Sequence, residues 1–256
     1  MRQLQLIAIR GLVSKEVKRV FRIWLQTFVS ATITMVLYLM IFGHVMGQQI
    51  RLIQGYPYIH FILPGLIMMQ IVTAAYSNAA SSVFSQRFNR SIEEVFVSPM
   101  YPSSIILSFC IGSVVRAFAL AFILTLIGLV FTDVHMAHFG LLLLTVLLSS
   151  VFLGLAGTLN GLFVRNFDDL SFLTSFVLTP LVYLGGVFYD IARLPGVWHH
   201  MSLYNPVVYL VDLFRHAMLD YPMPHLVLSY VVLTISCVIL FILNVIYFRR
   251  GQGVKS

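Results

Sequence analysis

Charge is scarce in this chain. Only 10% of its 256 residues are Asp, Glu, Lys or Arg, against roughly 25% in average soluble proteins. That shortage excludes a disordered protein and a soluble enzyme with a solvated surface. Cysteine is scarcer still. Cys110 and Cys237 both sit inside apolar runs without metal-type spacing, which excludes a disulfide scaffold. Motifs are missing too. No G-x-x-x-x-G-K-[ST] occurs, so the chain cannot cradle nucleotide phosphates by itself. No H-E-x-x-H or G-x-S-x-G occurs, which excludes a zinc-protease helix and a serine nucleophile elbow. Asp168-Asp169 is the carboxylate pair of one short turn, too few for a magnesium–diphosphate site. The histidine clusters His135/His138 and His199/His200 fall short of the three or four ligands that a metal needs. We therefore expect no catalytic residue, no metal site and no cofactor in this chain.

Apolar residues, by contrast, make up 59% of the chain, and the mean hydropathy is +0.94. A helix needs about 20 mainly apolar residues to cross the hydrocarbon core, and only helices or closed barrels cross it. The runs are continuous rather than alternating, so helices are expected. Six spans are predicted, at roughly 23–46, 59–84, 104–131, 139–164, 170–188 and 225–248. The first run is longer than the roughly 7–15 residues of a signal-peptide core, so it is a retained span. The chain reads as a cytoplasmic helix over 1–22 followed by a membrane domain over 23–256. The fold class is an all-α membrane protein.

The sixteen Lys and Arg exceed the nine Asp and Glu, and their positions give orientation. Segments 1–22, 85–103, 165–169 and 249–256 carry twelve of them, whereas 47–58, 132–138 and 189–224 carry only Arg51, Arg193 and Arg215. Arg116 is left inside a span. The positive-inside rule puts both termini in the cytoplasm. The positive excess is thus read as topology, with a lipid bilayer and no nucleic acid as partner.

Three pieces outside the spans stand out. In residues 1–22, Leu6, Ile9, Val13, Val17 and Val20 form one apolar stripe, with Lys15, Lys18, Arg19 and Arg22 opposite. This is an amphipathic helix for the inner leaflet, although the same charges would serve as a plain topology signal. The loop from Gln86 to Pro99 concentrates mixed charge. Arg90 and Glu94 are spaced to pair on a helix. Phe88, Ile92, Val95 and Phe96 supply an apolar side, and Pro99 and Pro102 end it. A soluble partner could grip such a helix; a solvated loop is the other reading. Segment 189–224 is apolar yet divided by Pro195 and Pro206. Val197-Trp198 and Val207 to Leu219 predict two helices too short to span, a re-entrant or interfacial cap before the last span. Asp212 and Arg215 are spaced to pair.

Two features lie within spans. An ionisable group there usually faces the bundle interior or water. Arg116 either does so or snorkels to the inner interface. Gly154, Gly157 and Gly161, on the side of the fourth span that carries Asn160, favour close helix packing.

This pattern resembles the permease subunits of ABC-2-type exporters over nearly the whole chain. The sharpest match runs through Leu178, Leu181, Leu184-Gly185 and Val187 to Leu194-Pro195, then Pro206, Tyr209 and Arg215. Val207 departs from the signature by a mild change of volume. The stretch Asn89 to Pro99 also looks like the family's segment after the second span. The chain is most similar to small bacterial inner-membrane permeases related to drug and nodulation-factor exporters. The resemblance implies a homodimer working with two separate ATPase subunits, which hold ATP and magnesium. It implies coupling through the helix 87–97, with Arg87, Arg90, Glu93 and Glu94, and through the amphipathic helix. It places the first, second and fifth spans along the route. Two rivals are weaker. An ion-coupled secondary transporter would want carboxylates within spans, and a membrane-embedded enzyme would want the missing motifs.

Overall fold

The computed structural model describes residues 2–47, 52–98, 100–223 and 225–251. Pro99, expected to help end the loop helix, lies outside the described residues, as do Arg51 and Lys255. The chain is almost entirely helical. Helix α1 (Arg2–Arg22) leads into α2 (Ser30–Tyr38), which is flanked by wider π-helical turns over Leu25–Val29 and Leu39–Met46. A two-residue hairpin, β1 (Leu52–Ile53) with antiparallel β2 (Tyr56–Pro57), precedes α3 (Tyr58–Phe88). Then come α4 (Ile92–Val97), α5 (Pro102–Phe131), α6 (Phe139–Phe163) and α7 (Phe167–Phe172). A π-helical stretch, Leu173–Leu178, joins α7 to α8 (Thr179–Tyr183). After a 3-10 turn at Ile191–Arg193 follow α9 (Gly196–Leu203), α10 (Pro206–Leu219) and α11 (Leu226–Arg249).

Local chemistry sets the boundaries. Pro102 and Pro206 occupy the first helical position, where a missing N–H costs nothing. Asn205 caps α10 by accepting from the Val207 N–H at 3.0 Å. Asn166 caps α7 from the Asp169 N–H at 2.7 Å, and Asp168 and Asp169 then face the positive helix end. The carboxylate pair thus sits in the first turn of α7, behind the Asn166 cap.

Five helices are long and apolar enough to cross a membrane: Leu25–Gly43, Tyr58–Phe88, Pro102–Phe131, Phe139–Phe163 and Leu226–Arg249. They match five of the six expected runs to within a few residues. The fifth expected run does not. Its helical segment spans Phe167 to Tyr183 instead of 170–188. It stops early because Gly186, at φ +72°, takes the left-handed backbone that favours glycine and turns the chain.

Helix α3 is the central post, mostly buried against α5, α6 and α10. Its tightest neighbour is α6. A Cβ on Gly157 would meet the Tyr76 carbonyl oxygen, and one on Gly161 would lie 2.7 Å from the Ala80 carbonyl oxygen. Backbone therefore touches backbone along this seam. Helix α11 is the least covered of the long helices.

The bundle has two distinguishable ends. At the near end, Leu12 of α1 shares an apolar cluster with Phe248 of α11, and Phe167 stacks edge-on against Phe84 and Phe88. At the far end, the Tyr38 and Tyr183 hydroxyls meet at 3.2 Å. There Tyr56 also donates to the Leu219 carbonyl at 3.1 Å. The Phe167–Tyr183 run therefore joins one end to the other.

Candidate functional site

At the near end α1 is bolted to the bundle by a polar latch. Leu12, Glu16 and Val20 follow one another at i, i+4 and all face inward. Glu16 is 1% exposed. Its carboxylate accepts from the Ser82 hydroxyl at 2.7 Å and from Gln86 Nε2 at 3.1 Å. Arg19 lies 3.7 Å away and donates to the Asn78 carbonyl at 2.6 Å and to Asn78 Oδ1 at 3.0 Å. Burial lowers the Arg19 pKa from its usual value, and Glu16 partly restores it. One member of the expected polar face is thus corrected. Arg19 turns inward, Leu6 is exposed, and Ile9, Val13 and Val17 are half-buried. Lys15, Lys18 and Arg22 stay outside as expected. Glu16 escaped the sequence reading, although its spacing from Leu12 and Val20 carries the signal.

Beside the latch lies a charged ledge. Helix α3 ends at Phe88, and Arg90 sits in a turn with left-handed backbone, φ 56°. Arg90 is therefore outside α4, and the expected Arg90–Glu94 helical pair does not form among the described residues. Glu93 and Glu94 occupy the exposed first turn of α4. Ile92 is buried and anchors that turn, while Val97 is exposed. Arg87 reaches the other way, donating to the Gly161 and Val164 carbonyls at 3.0 and 2.8 Å, where α6 ends. Helices α1 and α4 flank a groove of about 260 Å³ lined by Leu12, Lys15, Glu94 and Val95, among others. The two segments singled out from sequence form one surface.

At the far end, the residues of the expected signature form a knot. Arg215 is buried and saturated. It donates to Asp212 Oδ1 at 2.8 Å, to the Gly186 carbonyl at 2.8 Å and to the Phe61 carbonyl at 3.3 Å. Its guanidinium lies 3.9 Å from the centre of the Phe61 ring. Burial lowers its pKa and Asp212 pushes it back. Gly185 backs onto Val207, and the Tyr209 hydroxyl donates to the Leu203 carbonyl at 2.8 Å. Asn205 donates to the Leu181 carbonyl at 2.6 Å. Pro195 and Pro206 start α9 and α10 around Leu184 and the turn that follows it. These residues tie the short helices to the end of α8 and to α3.

Arg116, in mid-α5, borders a cavity of about 420 Å³ in the near half of the bundle. The cavity lies between the start of the first long helix, α3, α5 and the α7 stretch. Arg116 is half-buried, and this cavity is open to the surface beside the exposed Gln26, Ser171 and Ser175.

A profile of the ABC-2 type transporter family matches residues 7–219. The chain is also 41% identical to the inner membrane transport permease YadH of Escherichia coli (strain K12), over 256 residues and all of both chains. The chain belongs to the ABC-2 type transporter family. It is 26% identical to nodulation protein J of Rhizobium leguminosarum bv. viciae over 220 residues, covering 84% of this chain and 83% of that one. It is 24% identical to nodulation protein J of Rhizobium meliloti (strain 1021) over 219 residues. The chain is therefore a membrane-transport subunit of the ABC-2 type.

In this ABC-2 transporter one cluster went unseen in the sequence. His138, His216 and Asp220 bring their ligand atoms within 4.8 Å of one another at the far end. His138 Nε2 meets Asp220 Oδ1 at 3.2 Å, and the two imidazoles stack. Only the fold brings His138 to the neighbouring pair His216 and Asp220. His138 and Asp220 pin the start of α6 to the end of α10, where the His138 N–H donates to the Ala217 carbonyl at 2.9 Å.

Proposed function

We propose that this ABC-2 chain is the permease subunit of an ATP-binding cassette exporter in a bacterial inner membrane. Two copies work with two separate ATPase subunits. ATP and magnesium belong to those partners, because the sequence has no phosphate-cradling loop of its own. Both termini are cytoplasmic. The near end is the cytoplasmic end, since the described segments clustered there carry eleven of the sixteen Lys and Arg. The Phe167–Tyr183 helix is the sixth crossing. Its 17 residues reach roughly 25 Å at 1.5 Å per residue, short for a bilayer but spanning the two ends of the bundle.

The observation that carries the reading is the ledge. Glu93 and Glu94 project from a short helix that Ile92 anchors and the latched α1 flanks, and Arg90 projects from the turn before it. Arg87 fixes its base to α6. Such a charged, rigid projection transmits movement of a docked ATPase into the bundle. The cavity bordered by the first long helix, α3 and the α7 stretch is the inner part of the route. The aromatic contacts among Tyr38, Phe42, Tyr183 and Phe188 close the same helices at the far end.

The test is co-purification with its partner ATPase subunit. Replacing Glu93 and Glu94 together by Ala should weaken the complex roughly tenfold while leaving membrane insertion intact. Unchanged binding and unchanged ATP-driven transport would overturn the assignment of the ledge. Transport that persists without any ATPase would favour an ion-coupled carrier.

A further inference from the structure

The buried Arg215 and the half-buried Arg116 are treated very differently. Arg215 spends its donors on three oxygens and stacks on a ring. Arg116 has no hydrogen-bond or ion-pair partner among the described residues, and its Nε is buried without an acceptor. A guanidinium with one N–H buried and unpaired carries a desolvation cost, and an anion in the cavity would offset it. Among the described residues no carboxylate lines its cavity. The wall offers donors instead: Gln26, Ser77, Ser81, Ser171, Thr174 and Ser175. Of these, the side chains of Gln26, Ser77 and Ser175 make no hydrogen bond among the described residues.

The surroundings add a second chemistry. Trp24 and Leu25 flank Ile23 and Gln26 of the cavity wall, and both are exposed apolar residues. Phe172 and Phe176 alternate with Ser171 and Ser175 on the facing helix, also exposed, with rings stacked at 4.7 Å. Ser171 and Ser175 lie four and eight residues past Phe167, roughly 6 and 12 Å along the helix from the near end. Donors are therefore set within roughly 12 Å of the near end, beside exposed apolar side chains of two helices.

We propose that the Arg116 cavity binds the anionic group, a phosphate or carboxylate, of an amphiphile whose apolar part lies along Trp24, Phe172 and Phe176. The inference deepens the transport reading and rests on it for its biological sense, because it names the substrate class. Binding itself needs no ATPase, so the two readings fail separately.

The experiment titrates purified permease, in neutral detergent without ATPase, with dodecyl phosphate, with dodecanol and with inorganic phosphate. Calorimetry gives the affinities. Dodecyl phosphate should bind wild type, and Arg116→Gln should weaken it about tenfold or more, the worth of one charge-assisted hydrogen bond. Arg116→Lys should restore most of the binding. Dodecanol should bind weakly and equally to wild type and Arg116→Gln. Inorganic phosphate should bind far more weakly than the amphiphile. Equal binding of dodecyl phosphate to wild type and Arg116→Gln would overturn the proposal. Inorganic phosphate that matches the amphiphile would overturn its lipid-like half, leaving a free-anion pocket. If Arg116→Gln does not fold, Ser175→Leu fills the cavity from an exposed position and should cause the same loss; unchanged binding there would overturn the site. Binding that passes these tests in a protein whose transport ignores ATP would sink the exporter reading and leave the site standing.

Discussion

Replacing Glu16 by alanine should release α1 from the bundle. The size of the effect follows from the groups left behind. The Ser82 hydroxyl and the Gln86 amide both point at the carboxylate, and both residues are buried, at 2% and 5% exposure. Each orphaned buried donor costs about 1–3 kcal/mol. Arg19 is a quarter exposed and keeps its two bonds to Asn78, so solvent screening makes its loss smaller. Partial relaxation brings the sum to about 2–4 kcal/mol. At 1.4 kcal/mol per decade, the undocked state of α1 becomes roughly 30- to 1,000-fold more populated. Lys15 and Lys18 are exposed but held in a docked helix, so limited trypsin cleavage after them reads the undocked population. Cleavage should accelerate by that factor in Glu16→Ala and by less in Glu16→Gln, which keeps an acceptor oxygen. A rate within about twofold of wild type, well inside a single unpaired donor's cost, would refute the latch.

Other perturbations follow from the same geometry. Gly157→Ala should destabilise the protein by about 1–3 kcal/mol, because its Cβ meets the Tyr76 carbonyl. Gly140→Ala meets nothing within 4 Å and should be neutral or stabilising by about 0.5 kcal/mol; thermal unfolding in detergent separates the two. Arg215→Met should cost about 3–5 kcal/mol by stranding Asp212 and two carbonyls. Arg215→Lys should rescue it poorly, since a point charge cannot span three acceptors; size-exclusion profiles of the expressed variants report both. Tyr183→Phe removes one half-exposed hydroxyl contact with Tyr38 and should change the melting behaviour by less than about 1 kcal/mol.

What was legible in the sequence was what local physics dictates. Continuous apolar runs gave five helices their limits, because a bilayer demands internally bonded backbone of fixed length. Pro195 and Pro206 marked α9 and α10, and the i,i+3 spacing of Asp212 and Arg215 gave their ion pair. The rest depends on distant partners. Glu16 reads as one acid among basic residues until α3 supplies Ser82 and Gln86. Arg19 reads as a surface cation until Asn78 accepts from it. Arg90 belongs to a helix by spacing, yet its left-handed backbone places it in the turn before α4. Phe167–Tyr183 is shifted from the expected 170–188 because Asn166 caps it early and Gly186 turns the chain beyond it. Arg116 could be weighed from sequence, but only the packing of four segments shows a cavity there.

Site-directed crosslinking to the ATPase tests the docking ledge most directly. The two native cysteines, Cys110 and Cys237, are buried and can be replaced by serine to give a silent background. Glu94→Cys on the ledge and Leu203→Cys at the far end are then treated with a short bifunctional thiol reagent in membranes that also contain the ATPase. Glu94→Cys should give a permease–ATPase adduct whose yield changes when ATP is added, and Leu203→Cys should give none. An adduct from Leu203→Cys, or none from Glu94→Cys in membranes where ATP still drives transport, would contradict the account.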